Sequence, residues 1–206
     1  TLQKPRIVIM LRDPVRRLFS FYRFQKGMLY LDSELSFRQY VATCESMPLS
    51  ERGKKHNNRY WGIDGGFYSN YLADWFCVFG EDEIRILFFE DLRGSPRSVL
   101  TDLCGWLQIE HKEYLDSLQF SVENRTMDYR NKALQRIALK LNWEAEAFWR
   151  AHPWLKRILR RVYYAINGRP HSEAMSAETE AYLDSLFRPY NERLARQLLN
   201  HGYTDL

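Results

Sequence analysis

Arg12 and Ser20 stand eight residues apart, with Asp13-Pro14 directly after the arginine. A guanidinium offers a planar fork of donors that matches two phosphate oxygens, and a serine hydroxyl adds one more. Ahead of them runs Ile7-Val8-Ile9-Met10-Leu11, a short continuous apolar stretch; after them Leu18, Phe19 and Tyr22 recur at helical spacing. This pattern predicts a buried strand feeding a helix. Asp13 is suited to be the N-cap and Pro14 the first helical residue, where its missing N–H costs nothing. Such a junction collects free N–H groups and the positive end of a helix dipole at the carboxyl end of a parallel strand, so it favours an anion. Arg16 and Ser20 share one helix face, and a group above that face is within reach of Arg12 and Ser20 together. The competing reading has Arg12 capping the sheet edge or pairing with Asp13, and Ser20 facing solvent.

The elements that must position this junction come later in the chain. Phe67 to Phe79 predicts a helix with Phe67, Tyr71, Leu72, Trp75 and Phe79 on its core side, closed by Gly80. Ile84 to Phe89 predicts a second strand, apolar enough to be buried on both faces, with Glu90-Asp91-Leu92 at its carboxyl end. Ser95-Pro96 then opens a covering helix through Leu100, Leu103, Cys104 and Leu107.

The arginine, seven residues and serine, with Asp-Pro behind the arginine and Tyr22 two beyond the serine, resemble the segment with which sulfotransferases using 3′-phosphoadenosine 5′-phosphosulfate hold the 3′-phosphate. Gly66-Phe67-Tyr68 through Leu92 resembles the same family's tyrosine-bearing helix and the strand ending in Glu-Asp-Leu. The resemblance implies that Arg12 and Ser20 are the phosphate ligands and that Tyr68 meets the adenine ring. It gives Glu90 and Asp91 a structural rather than a catalytic role. Ser121, Asn124 and Arg125, within Phe120–Thr126, fall where related enzymes return to the base and 3′-phosphate, although the Lys-Gly loop of many cytosolic members is not recognisable there.

Composition sets bounds. The 206 residues suffice for one sizeable core, and 15% aromatic against 27% charged residues describes a globular chain. A net charge of +4 suits a polyanionic cofactor or an acidic acceptor and is too small to argue for nucleic acid. Cys44, Cys77 and Cys104 lie in apolar helical contexts without metal spacing, which predicts buried free thiols and a cytoplasmic setting. A Golgi-lumen location is the alternative if an anchor lies outside these residues. No apolar run reaches the length of a membrane span.

Elsewhere, Ser36 and Gln39 occupy capping-box positions of a helix that buries Phe37, Tyr40, Val41 and Cys44. Met47 to Gly66 lacks periodicity and reads as a basic, aromatic loop. Within it, Lys54 to Trp61 is a candidate acceptor lid. Helices are expected over Lys132–Leu141, Glu144–Ala151 and Trp154–Ile166. The last is amphipathic, with Lys156, Arg157, Arg160 and Arg161 and no acidic residue, and suits either a solvated face or contact with an anionic membrane or acidic partner. Pro189 divides a final helical unit into Ser176–Phe187 and Pro189–Asn200.

These readings combine into one α/β domain over residues 1–206: a P-loop-kinase-like parallel sheet flanked by helices, with a largely helical C-terminal half. Its N-terminal part is expected to be missing from the chain, because no Lys-Ser/Thr loop for the 5′-phosphosulfate occurs. The activity implied by the resemblance is transfer of a sulfuryl group from 3′-phosphoadenosine 5′-phosphosulfate to a hydroxyl or amine, releasing adenosine 3′,5′-bisphosphate, with no metal. Glycan, lipid, small-molecule and carrier-bound acceptors all remain open, and no catalytic base can be named. An inactive nucleotide-binding or basic interaction module is the alternative.

Overall fold

The computed structural model describes residues 4–110, 112–118, 120, 127–170 and 172–203. They form two compact units, one drawn from Thr1–Leu18, Ile63–Glu123 and Ala177–Leu206, the other from Phe19–Gly62 and Asn124–Ser176.

In the first unit, β1 (Ile7–Leu11) pairs in parallel with β2 (Ile84–Phe88), in register from Ile7 opposite Ile84 to Leu11 opposite Phe88. The helix α1 (Pro14–Gly27) begins at the predicted residue, and the Asp13 carboxylate accepts from the Arg16 N–H at 2.7 Å, which is the expected N-cap. One face of the sheet is covered. Leu11, Ile84 and Ile86 join Leu72 and Phe76 of α4 (Tyr68–Phe79) and Leu198 of α11 (Ala177–Asn200) in a single apolar cluster. The opposite face of β1 is open at Val8 and Met10, so the strand alternates rather than being buried throughout. On the side of β2 away from β1, the Ile86 N–H donates to the Tyr203 hydroxyl at 2.9 Å.

Two glycines fix the entry and exit of α4. A Cβ on Gly66 would lie 2.6 Å from the ring of Phe187, so the approach of these segments requires its absence. Gly80 ends the helix at φ +81°. The buried face of α4 is Ser69, Leu72 and Phe76; Tyr71 and Trp75, expected inside, are exposed. Phe76 stacks on His201 instead, at 3.9 Å between ring centroids. Pro189 lies inside an unbroken α11, correcting the expected division. The burial of Leu183, Phe187 and Leu198 along one stripe outweighs the single lost backbone hydrogen bond. After β2 come α5 (Phe89–Gly94), α6 (Pro96–Leu107) and α7 (Lys112–Ser117). Pro96 opens α6 as predicted, but Ser95 makes no side-chain cap.

The second unit is helical around a polar knot. Tyr22 of α1, fully buried, has its hydroxyl 2.6 Å from both a Glu173 carboxylate oxygen and the Leu35 carbonyl, and Lys26 donates to the same hydroxyl at 3.0 Å. Glu173 also accepts from the Phe37 N–H at 2.8 Å. There α2 (Phe37–Ser46) starts, with both halves of the Ser36–Gln39 capping box formed and Phe37, Tyr40, Val41 and Cys44 buried. The expected unstructured loop is instead a series of short turns: α3 (Leu49–Arg52), then 3₁₀ helices at Lys55–Tyr60 and, already in the first unit, Asp64–Gly66. Side chains satisfy their backbone groups, as where the Tyr40 hydroxyl donates to the Arg59 carbonyl at 2.8 Å.

A two-residue antiparallel pair, β3 (Asp128–Tyr129) with β4 (Gly168–Arg169), brackets α8 (Lys132–Glu144), α9 (Glu146–Ala151) and α10 (Pro153–Asn167). Asn167, 1% exposed, accepts from the Asn131 N–H at 2.8 Å and donates to the Asn131 carbonyl at 3.2 Å, locking the two ends of this hairpin of helices. All three cysteines are free; Cys44 is buried, whereas Cys77 is exposed and Cys104 half-buried, contrary to the uniform burial expected.

Candidate functional site

Because Leu11 and Phe88 are register partners, the residues that follow them emerge side by side at the carboxyl ends of the two strands. There the Arg12 guanidinium lies over the Phe89 ring, 4.5 Å from its centroid. Its Nε is buried and has no hydrogen-bond partner among the described residues. Asp13 turns one carboxylate oxygen to the Arg16 N–H, and no ion pair with Arg12 forms among the described residues. The Asp13 N–H points toward Glu90 Oε1 at 3.5 Å, a long contact. Glu90 thus touches the junction through the backbone, in keeping with a structural role.

Tyr68, the first residue of α4, belongs to the same unit and presents its hydroxyl to this junction. The hydroxyl is buried and makes no hydrogen bond of ordinary geometry. Burial raises its pKa, while the Arg17 guanidinium and the Arg12 backbone amide pull it back. Arg17 was not anticipated. Its guanidinium packs where a Cβ on Gly65 would be, 2.5 Å from Nη2, and it adds a second cation beside Tyr68. The signal available in the sequence was the arginine pair Arg16-Arg17 followed by an aligned Gly65-Gly66, and the spacing alone did not single out the second arginine. Phe89 was read only as strand.

Ser20 is half-buried on α1, and Arg16 is exposed one turn before it. Ser121, Asn124 and Arg125 lie outside the described residues. In the second unit, Trp61 lines a cleft of roughly 440 Å³ with Phe21, Gln25, Arg52, Gly53 and Asn58. Arg52 there is held by the Met47 and Glu45 carbonyls, at 2.9 and 3.0 Å. Lys54 is paired with Glu51 at 2.5 Å, and His56 is 3.9 Å from the same carboxylate. Among the described residues no group of three or more His, Cys, Asp or Glu side chains is placed to hold a metal ion.

Two buried polar atoms that make no hydrogen bond of ordinary geometry among the described residues stand beside two cations and a helix start, an arrangement that can take up an anion. The chain is 26% identical over 140 residues, 65% of its length, to the bifunctional heparan sulfate N-deacetylase/N-sulfotransferase of Drosophila melanogaster. It is 25% identical over 118 residues, 56% of its length, to the bifunctional heparan sulfate N-deacetylase/N-sulfotransferase 1 of Caenorhabditis briggsae. It spans only 13% and 14% of those two proteins. Among solved structures, a sulfotransferase from Alicyclobacillus acidocaldarius is 29% identical, with 58% of this chain and 45% of that one covered at a TM-score of 0.46. Residues 1–152 match the family model described as the sulfotransferase domain. By that match, over well more than half its length, the chain belongs to the sulfotransferase family and has its α/β fold.

Proposed function

We propose that the chain takes part in sulfuryl transfer from 3′-phosphoadenosine 5′-phosphosulfate to a hydroxyl or amine, with adenosine 3′,5′-bisphosphate as the other product. The observation that carries the reading is a pair of buried polar atoms, Arg12 Nε and the Tyr68 hydroxyl, that make no hydrogen bond of ordinary geometry among the described residues, at the carboxyl end of a parallel strand pair. Leaving such groups unpaired costs about 1–3 kcal/mol each, and a phosphate and an adenine edge are groups that satisfy them. Arg12, oriented by Phe89, holds the 3′-phosphate, with Ser20 of α1 as the second ligand by resemblance. Tyr68 holds the base. In the reaction an acceptor oxygen or nitrogen bonds to sulfur as the sulfur–oxygen bond to the 5′-phosphate breaks, and the acceptor's proton leaves to a base. The heparan sulfate N-sulfotransferase relatives favour an amine- or hydroxyl-bearing glycan as the acceptor.

The experiment is a calorimetric titration with adenosine 3′,5′-bisphosphate and with 5′-AMP. The bisphosphate is expected to bind at least about tenfold more tightly, a difference of about 1.4 kcal/mol, and Arg12→Ala to erase that preference. Equal affinity for the two nucleotides in the unaltered chain overturns the assignment.

A further inference from the structure

A helix on a protein surface ordinarily turns its apolar stripe inward. In the second unit α10 does the reverse. It is fastened to its neighbours by polar groups: Tyr163 donates to the Gln135 side chain, and Asn167 donates to the Tyr163 hydroxyl at 2.7 Å and pairs with Asn131. At 100° per residue these two side chains mark one side of the helix. Trp154, Ile158 and Val162 lie away from it and Ile166 and Leu159 carry the apolar arc round toward Tyr163, each of the five between 46% and 61% exposed. Arg157 and Arg161 border that arc at one edge and Lys156 and Arg160 stand on the side of Tyr163 and Asn167; all four are exposed, and α10 holds no acidic residue. The nearest acids in sequence are occupied, Glu146 by Arg150 at 2.6 Å and Glu144 by Lys140 at 3.7 Å. A continuous apolar arc of this kind is an interaction site.

We propose that α10 lies flat on an anionic lipid bilayer, its apolar arc at the level of the acyl-chain boundary and Arg157 and Arg161, at the edge of that arc, among the headgroups. The charge pattern selects this occupant. A second copy of the chain meeting α10 face to face would bring the Arg157 and Arg161 edges of two acid-free helices together, whereas an anionic surface complements them. At 15 residues the helix is about 22 Å long, too short for the roughly 30 Å hydrocarbon core, so it lies on the membrane instead of spanning it. Among the described residues no helix is long and apolar enough to cross a membrane. This docking is independent of nucleotide binding by Arg12 and Tyr68.

The test is sedimentation of the full chain with vesicles of phosphatidylcholine alone and of phosphatidylcholine and phosphatidylserine in equal parts. Binding is expected on the anionic vesicles, weakened about tenfold by Ile158→Asp with Val162→Asp and to a similar extent by Arg157→Glu with Arg161→Glu. All four side chains are exposed, so the variants are expected to retain the helical circular dichroism of the parent; Ile158→Ser with Val162→Ser is the milder pair if the aspartates disturb it. Three outcomes overturn the proposal: no binding to anionic vesicles, binding that the apolar substitutions leave unchanged, or oligomers of the parent chain that the apolar substitutions dissociate.

Discussion

The Arg12 guanidinium rests on the face of Phe89, 4.5 Å from the ring centroid, because Leu11 and Phe88 are register partners and each strand delivers its next residue to the same place. The ring therefore orients the cation before any ligand arrives, at no cost in hydrogen bonds. Phe89→Leu is expected to keep the charge and lose the orientation, weakening adenosine 3′,5′-bisphosphate by about 0.5–1 kcal/mol. Arg12→Ala is expected to cost more, about 1.5–3 kcal/mol for each charge-assisted hydrogen bond lost. Calorimetry on both variants checks the order; equal losses would make Phe89 a structural residue only.

Tyr68 tests the second unpartnered atom. Removing a buried hydroxyl that has no partner is close to neutral for folding, so Tyr68→Phe is expected to change the urea midpoint of the free protein little. Nucleotide affinity is expected to fall by about 1 kcal/mol if that hydroxyl meets the base. A large loss of stability without ligand would show instead that the hydroxyl is already bonded within the fold.

Gly66 sets how closely the start of α4 approaches α11. A Cβ there meets Phe187, which is fully buried and cannot yield, and comes within 3.3 Å of Pro14 Cβ. Gly66→Ala is expected to destabilise the chain by about 1–3 kcal/mol through overpacking. Thermal unfolding measures this, and Gly94→Ala, where a Cβ meets open space, is the matched control.

Alkaline pH reads the knot around Tyr22. Burial, then its hydrogen bond to Glu173, raises the phenol's pKa, so the folded chain keeps this proton after an unfolded chain has released it. The associated stability is complete below the ordinary tyrosine value near 10 and declines as pH rises above it, by about 1.4 kcal/mol per pH unit. Tyr22→Phe is expected to lower the midpoint at neutral pH and to make its decline above about pH 10 shallower by one proton. Parallel slopes for the two proteins would place the phenol outside this linkage.

Features written in a few neighbouring residues could be read from the chain before the fold was known. Asp13-Pro14, Ser36 with Gln39, and Gly80 each act through their own backbone, and each does what its chemistry requires. Features that depend on distant partners could not. The inward side of α4 is decided by α11, which turns Phe76 in and leaves Tyr71 and Trp75 out. Tyr22 finds Glu173 across 151 positions, and nothing near either residue foretells the pairing. The turns between Lys55 and Gly66 escaped because a 3₁₀ helix has no apolar period to reveal it. Of the proposed site, Arg12 and Tyr68 are the residues that flanking motifs single out, whereas Phe89 and Arg17 became visible beside them only in the fold.

Tyr203 gives the far C-terminal segment a task out of proportion to its size. Its phenol takes the Ile86 N–H at 2.9 Å and reaches the Ile84 carbonyl at 3.4 Å, the two outward-facing groups to which another strand would add. One side chain thus stands in for a neighbouring strand and closes a template for intermolecular pairing. Without that phenol both groups would be bared, and β2 would offer an edge for pairing between chains.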